Sequence, residues 1–535
     1  MDGPHPAHPQ DVLILGGGLA GLTLALELRQ HFPELSIRVL ERRAHPVPAA
    51  AHKVGESTVE IGAHYFSNVL GLRDHLDAAQ IRKFGFRFFF SEGREDVQHV
   101  TELGVSRVLP TPSWQIDRGL FENFLGEETR RRGIVFDDAC SARAIVPGRD
   151  GAHHAVRCER HGKNETIDAR WLIDASGRAG LLKRQFDLSE DNGHHIGAAW
   201  FRVDTRLDLD AWCDDAPWRA RCDPQERWRS TNHLCGPGYW VWLIPLASGA
   251  HSVGIVADTA MHPIETYNTY ERALEWLRAH QPIVAREVDK HRDKLLDFAF
   301  LRNVSYGCKQ VFSADRWALT GEAGVFLDPF YSPGSDFIAI GNRYIRELVA
   351  RDLAGESLAP YARLYEQLYF SFYRNTLILY RDQYPLFGDA QVMPIKVIWD
   401  FAYYWGVLCP LAIGDRLTDL ALLGELRPQL EEAESLNAAM QAFFRAWHSL
   451  SDARNPPALL DQQQLAWFAR LNAGLHARLD DAGTRARLRE HIELLHALAG
   501  AIGEHALAAS PTLDVAALRE MAGSRALPEL FAQAA

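Results

Sequence analysis

Apolar residues first run together and then fall at helical spacing. Val12-Leu13-Ile14-Leu15 forms an unbroken apolar run, glycines follow, and Leu22, Leu24, Ala25, Leu26 and Leu28 then give one packed face. The pattern predicts a strand, a turn and a helix from Leu19 to about Phe32. Ser36–Leu40 (SIRVL) reads as a second strand ending at Glu41, which completes a β-α-β unit. Short aromatic and β-branched runs from about Arg87 to Val108 and from Ile196 to Phe312 predict sheet. Between them Asp117–Arg132 has helical spacing, and Trp171–Ile173 is a strand running into Asp174-Ala-Ser-Gly-Arg178. Beyond about Gly341 strand signals vanish and Ala, Leu, Arg and Glu dominate. Residues 342–535 should be largely helical, with breaks near Pro385–Gly388, Asn455–Pro457, Gly483 and Ser510–Pro511. Val397–Ile413 carries Asp400 and Pro410 and reads as a buried helix, not a membrane span.

Composition narrows the class. A chain of 535 residues suggests two to four structural units, or one large enzyme with appended layers. With 47% hydrophobic and 24% charged residues it resembles ordinary globular proteins and not disordered or fibrous ones. The net charge of -12, from 57 basic and 69 acidic residues, argues against nucleic acid as the main partner. The opening MDGPHPAHPQ has neither the basic nor the apolar stretch of a signal peptide, so a cytoplasmic protein is expected. Seven cysteines without a C-x-x-C pair are no disulfide framework. Cys213, Cys222 and Cys235 are spaced too loosely for zinc, and adjacent His194 and His195 point apart, so no metal site is expected.

The strongest chemical signal lies at the first turn. Gly16, Gly18 and Gly21 form G-x-G-x-x-G between strand and helix. The first glycine makes the tight turn, the second lets backbone approach a pyrophosphate, and the third lets the helix pack on the strand. The helix N-terminus offers N–H groups and a positive dipole to the anion. Glu41, about 20 residues on at the end of the second strand, can accept ribose hydroxyl hydrogen bonds. A dinucleotide binds here. The expected fold class is α/β (α+β), with a doubly wound Rossmann-like domain over residues 10–345. A substrate-side sheet is inserted at about 85–115 and 196–312, and a helical region, 346–535, packs on the domain.

Asp174-Ala-Ser-Gly-Arg178 and Trp317-Ala-Leu-Thr-Gly321-Glu322-Ala-Gly-Val-Phe-Leu-Asp328-Pro329 resemble the second and third nucleotide motifs of FAD-dependent hydroxylase-like proteins. Glu322 stands where that family more often has Asp. Gln115 and Arg118, in WQIDRGLF, match its helix start beside the cofactor phosphates. Trp240-Val-Trp242-Leu-Ile-Pro245 resembles the W-x-W-x-I-P signature of flavin-dependent halogenases. Val54-Gly55-Glu56-Ser57-Thr58 resembles their loop over the flavin. Taken alone, Trp240 and Trp242 are two residues on one face of an alternating strand. The resemblance covers roughly residues 10–345 and is closer to phenol- and pyrrole-type members than to tryptophan halogenases.

The resemblance implies reduced FAD as cofactor, oxygen, and chloride or bromide as co-substrate. It also implies a separate NAD(P)H-dependent flavin reductase as partner. Hypohalous acid then passes to a lysine that delivers halogen to a small aromatic or conjugated substrate, free or tethered to a carrier protein. The matching lysine is Lys83 in Ile81-Arg-Lys-Phe-Gly-Phe-Arg-Phe-Phe-Phe90, with Lys53 the competing candidate. Trp240 and Trp242 would keep substrate from the flavin. Halide would be held after Ser332 by backbone N–H groups of Gly334 and Ser335. Two departures stand out: Pro333 supplies no N–H, and Asp336 brings negative charge. Tyr331 stands where indole-halogenating members carry a glutamate, which points to a phenol, pyrrole or polyene-type substrate. A hydroxylase or dehydrogenase without halide use, and a flavoprotein binding module, remain alternatives. The aromatic series Tyr365, Tyr369, Phe370, Phe372, Tyr373, Tyr380 and Tyr384 fits a substrate chamber or a packed core equally. Arg130-Arg131-Arg132 fits a carrier-docking patch or an ordinary helix end.

Overall fold

The computed structural model describes residues 9–531, so most of the opening segment read for a leader lies outside the described residues. The chain forms two compact units. The first comprises residues up to Ala79, Ile116–Gly193 and Ser305–Tyr373; the second comprises Gln80–Gln115, His194–Val304 and the chain from Arg374 onward.

The first unit is built on a seven-stranded sheet. Val135–Asp137, Ile37–Leu40, Gln10–Leu15 and Lys163–Asp174 run parallel in that order, and Trp317–Leu319 also pairs with Lys163–Asp174. His154–Arg160 and Cys140–Val146 extend it antiparallel. Val12, Leu13 and Ile14 are fully buried, as expected for a parallel strand covered on both faces. The predicted first helix is Leu19–His31, and every residue from Leu19 to Leu28 is buried. Helix Arg118–Arg131 starts from Asp117, whose carboxylate accepts the Leu120 N–H at 3.3 Å. At its end Arg131 and Arg132 each meet Glu128 at 2.6 Å and Arg130 meets Asp138 at 3.3 Å, so this run serves as a helix terminus.

The second unit is built on an eight-stranded sheet in the order Leu295–Leu301, Ile196–Val203, His251–Asp258, Tyr239–Pro245, Thr231–Gly236, Phe86–Phe90, Glu102–Gly104 and Leu459–Asp461. Two helices, Tyr270–His280 and Pro282–Asp289, lie where unbroken sheet was expected. Leu274, Leu277, Ile283, Val284 and Val288 from these helices share one core with Phe89, Leu234, Val241, Leu243, Val253 and Ile255. Their β-branched and aromatic content masked the helical period. Leu459–Asp461 is a strand inside the predicted helical region, recruited by the edge at Glu102–Gly104. The break expected at Gly483 falls at a helix start, where Asp480 accepts the Gly483 N–H at 2.7 Å. Val397–Ile413 is helix, a π-helical turn at Tyr404–Leu408, and helix again. Among the described residues no helix is long and apolar enough to cross a membrane.

Asn342 ties the first unit together from helix Gly334–Leu353. Its amide oxygen accepts the Thr320 hydroxyl at 2.7 Å. Its nitrogen donates to Ala20 O, Thr23 Oγ1 and Tyr65 Oη at 3.1–3.3 Å. Truncation leaves the buried Thr320 hydroxyl and Ala20 carbonyl without these contacts, a cost of about 1–3 kcal/mol. Asn342→Ala should lower the melting temperature by several degrees in calorimetry; an unchanged transition would show that the network relaxes without penalty.

Candidate functional site

The glycine turn is shaped as predicted. Gly16 has φ +118°, and a Cβ there would meet the Ala175 carbonyl oxygen at 2.3 Å; one on Gly21 would meet Gly16 O at 2.0 Å. Helix, turn and the strand entering Asp174 therefore touch backbone to backbone. Glu41 accepts the Gly17 N–H at 2.8 Å and the Arg43 N–H at 2.9 Å, which fixes its carboxylate beside the turn.

A buried charge cluster stands next to Gly18. The Lys53 ammonium lies 2.8 Å from where a Cβ on Gly18 would sit, and Arg118 Nη1 2.6 Å from one on Gly55, whose φ is +90°. Both cations converge on Glu122. Lys53 Nζ is 2.8 and 3.0 Å from its two oxygens, His52 Nε2 is 2.9 Å away, and Arg118 Nη2 is bonded to it. Arg118 also donates to Val54 O at 2.7 Å, holding the loop of Gly55, Glu56 and Ser57. Burial opposes ionisation of Glu122, yet Arg118, Lys53 and His52 hold it well below the usual carboxylate range. Two cations held against Gly18 and Gly55 are of the right charge to meet a pyrophosphate. This arrangement places Lys53 beside the nucleotide turn. Glu122 and His52 were not anticipated, and nothing local to their sequence marks them.

The remaining first-unit candidates stand at or after the ends of the paired parallel strands Lys163–Asp174 and Trp317–Leu319. Asp174 is buried, which pushes its carboxyl up, and it accepts N–H groups of Ser176 at 3.0 Å and Leu182 at 2.7 Å, so its oxygens hold the turn. Gly321 has φ +59°. Glu322 is partly exposed and pairs with Arg178 at 3.1 Å. Asp328 accepts the Phe330 N–H at 2.9 Å, and Ser332, after Pro329, adopts φ 53°. That bend starts helix Gly334–Leu353, with Pro333 at the cap. The Ser335 hydroxyl is buried without a hydrogen-bond partner among the described residues, while Asp336 accepts the Gly62 N–H at 2.8 Å.

The second unit gathers the other candidates on one sheet face. Ile81–Arg82 pairs with Trp114–Gln115, Lys83 N–H donates to Ser113 O at 2.9 Å, and Gly85 at φ +90° turns the chain into strand Phe86–Phe90. Lys83 is only 3% exposed, and its ammonium lies 3.4 Å from the centroid of the Phe86 ring. Strand pairing sets Phe88 beside His233 and His233 beside Trp242. Trp240 and Trp242 are buried with ring centroids 5.7 Å apart. Trp240 Nε1 donates to Tyr384 Oη and Trp242 Nε1 to Ser252 Oγ, each at 3.1 Å. Gly254 makes room for the second indole, since a Cβ there would strike it at 2.1 Å. Gln115 belongs to this unit, its amide bonded to Thr231 Oγ1 at 2.9 Å and Arg229 O at 3.3 Å.

Comparisons with known proteins agree with this geometry. A model of the FAD binding domain matches residues 10–252. The flavin-dependent halogenase chlA of Dictyostelium discoideum is 25% identical over 83% of this chain and 80% of its own length. The tetracycline 7-halogenase of Kitasatospora aureofaciens is 26% identical over 62% of this chain and 61% of its own. Over most of its length the chain is similar to flavin-dependent halogenases. The crystal structure of halogenase PltM in complex with phloroglucinol and FAD shares the fold, with TM-score 0.65, 18% identity, 91% of this chain and 96% of that one. The flavin-dependent brominase Bmp2 structure gives TM-score 0.55 at 21% identity, over 71% and 89%.

In the structure the aromatic series divides. Tyr365 stacks on Tyr344 at 4.9 Å and Phe372 packs on Phe337 at 4.6 Å, so the early members are first-unit core. Tyr384 bonds Trp240, and His194 packs on Tyr380 and Tyr384 in the second unit.

Glu122 is depressed when folded, so its contribution to stability is complete above its unfolded pKa of about 4.3 and is lost as pH falls through the lower folded value. Glu122→Gln should lower the melting temperature at pH 7 and flatten its decline below about pH 4.3. Equal slopes for both proteins would mean other carboxylates govern acid unfolding.

Proposed function

We propose that this protein is a two-component FAD-dependent halogenase of the cytoplasm. It would use reduced FAD from a separate NAD(P)H-dependent reductase, oxygen, and chloride or bromide to halogenate an electron-rich aromatic substrate through hypohalous acid and Lys83. The observation that carries the reading is Lys83 itself, an ammonium buried against Phe86 on the same apolar wall as Trp240 and Trp242.

Bound reduced FAD would supply the activation of oxygen. The chain's own residues divide the remaining work. Gly16, Gly18 and Gly21 admit the pyrophosphate to backbone N–H groups, Arg118 and Lys53 offer it positive charge, and Glu41 receives ribose hydroxyls. Halide is assigned to the first turn of helix Gly334–Leu353. Pro333 lacks a donor, but the Gly334 and Ser335 N–H groups lie at the positive end of a long helix, and the Ser335 hydroxyl has no partner among the described residues. Asp336, turned toward Gly62, is engaged elsewhere. Lys83 donates to the oxygen of hypohalous acid, polarising the O–X bond, while the indoles of Trp240 and Trp242 pack the wall and shut out water.

The tetracycline and pyrrole relatives carry electron-rich rings in their names, and the same class suits a wall of Phe86, Phe88 and Trp240. Carrier tethering, named for the pyrrole relative, finds little support in Arg130–Arg132, whose charges are met by Glu128 and Asp138. A free ring is therefore the proposed substrate.

The test supplies reductase, NADH, FAD and oxygen with chloride, bromide or neither, and follows bleaching of monochlorodimedone as a trap for hypohalous acid. Trap loss should require halide in wild type and in Lys83→Ala. Halogenation of an aromatic acceptor should fall at least about 100-fold in the variant, the scale of removing one transition-state donor. Oxygen consumption with no halide dependence would instead identify a hydroxylase or oxidase on this scaffold.

A further inference from the structure

Residues 204–230, between strands Ile196–Val203 and Thr231–Gly236 of the second unit, have no part in the chemistry above. Their fixed point is Arg227, fully buried, with its guanidinium 3.9 Å from the centroid of the Trp218 ring. Arg227 Nε meets Glu102 at 2.8 Å and Nη1 meets Asp210 at 2.6 Å, and the Arg227 N–H donates to Asp210 at 2.8 Å. A buried cation paired in this way is costly to move, so the short 3-10 turn Arg227–Arg229 is anchored to the sheet through Glu102. That turn delivers Arg229 to the segment that carries Lys83.

Arg229 bonds the chain on both sides of the lysine. Its Nε donates to Arg82 O at 3.1 Å, and its carbonyl oxygen accepts the Phe84 N–H at 3.2 Å. The Lys83 N–H itself donates to Ser113 O at 2.9 Å. Each peptide group is planar, so once the two groups flanking the Lys83 Cα are held, φ and ψ of Lys83 are set and so is the direction of its Cα–Cβ bond. The restraint has work to do here, because Gly85 at φ +90° follows and glycine leaves a turn free to swing. Phe84 is buried in one cluster with Val105 and Cys222, which also comes from residues 204–230. Arginine suits the task, since Nη1 bonds Glu226 at 2.7 Å and the planar guanidinium then aims Nε at Arg82 O. The Arg229 and Glu226 side chains are 22% and 38% exposed, so this pair adds little to global stability.

We propose that Arg229 is a positioning residue for Lys83, holding the peptide groups on either side of it so that the ammonium stands over the Phe86 ring where it can meet hypohalous acid. The proposal rests on the halogenase reading of Lys83. Arg229 touches no reacting atom, and its loss should impair delivery of halogen while leaving the making of the oxidant intact.

The test uses Arg229→Ala, with Arg229→Met as a second variant that keeps the apolar stem and loses the donor. Bromide is supplied, the acceptors are resorcinol, pyrrole-2-carboxylate and indole, and monochlorodimedone traps hypohalous acid in parallel. In both variants kcat for bromination should fall about 10- to 100-fold, the scale of an ångström's misplacement, with KM for the acceptor nearly unchanged. Halide-dependent trapping should stay at the wild-type rate, and the melting temperature should move by no more than about 2 °C. Guanidinium sulfate should restore part of the rate to Arg229→Ala and none to Lys83→Ala. Hydrogen exchange of residues 81–86, read by mass spectrometry, needs no reaction. The Lys83 and Phe84 amides should exchange about three- to tenfold faster in both variants, the worth of one net hydrogen bond. Unchanged exchange would overturn the proposal, whatever the acceptors show. Equal losses of trapping and bromination, or a raised KM at constant kcat, would overturn it too, by moving Arg229 to oxidant formation or to substrate contact. A loss that guanidinium does not restore, with a large fall in melting temperature, would leave Arg229 a folding residue only. Trapping without halide dependence would sink the halogenase reading, and faster exchange would still identify Arg229 as the residue that holds Lys83.

Discussion

The period-two pleat of the second unit's sheet decides which side chains share a face. Phe86, Phe88, His233, Trp240 and Trp242 fall on one face. Phe89, Leu234, Val241 and Leu243 fall on the other, within the core that includes both helices. That apolar back face locks the register, because a shift of one residue would turn every indole and phenyl to the wrong side. Gly254 makes the lock tighter, being the one partner of Trp242 across the sheet with no side chain to collide with the indole. The arrangement of side chains on the front face is thus maintained by packing on the back.

The first unit depends on the opposite kind of constraint. Its glycines bring backbone to backbone at Ala175, so no side chain stands between the nucleotide turn and the sheet. Charge is then arranged around that gap. Lys53 and Arg118 would repel each other were Glu122 not buried between them, and removal of the carboxylate would strand two cations at the edge of the interior. Glu122 keeps both cations assembled where a pyrophosphate is wanted, which spares the ligand the task of ordering them.

Features set by local sequence were legible in the chain. Strand, glycine turn, helix and Glu41 follow one another within a short span, and the W-x-W alternation already implies a shared face. Features set by long-range pairing were not. Glu122 meets Lys53 and His52 across about seventy residues. His233 meets Phe88 only when Phe86–Phe90 is laid parallel to its strand. Gln115, expected at a helix start, sits instead in a two-residue strand whose pairing positions Lys83. The helices at Tyr270–His280 and Pro282–Asp289 did leave signals, a Thr269 cap and a proline at a helix start. Their β-branched and aromatic residues outweighed those signals because such residues are chosen here for packing on the sheet, not for propensity.

An electrophilic halogen is dangerous to the wall that guides it, since indoles and phenols are better nucleophiles than benzene rings. The proposed chemistry makes sense of where each aromatic side chain stands. Phe86, the ring beneath the Lys83 ammonium, is the aromatic type least prone to attack. Trp240 and Trp242 are buried, with their N–H groups engaged by Tyr384 and Ser252. A cation over an unactivated ring binds through the quadrupole without offering the oxidant a reactive carbon. Phenylalanine below the lysine and tryptophan farther along the wall is therefore the order that lets an electron-rich substrate compete for halogen against the protein that holds it.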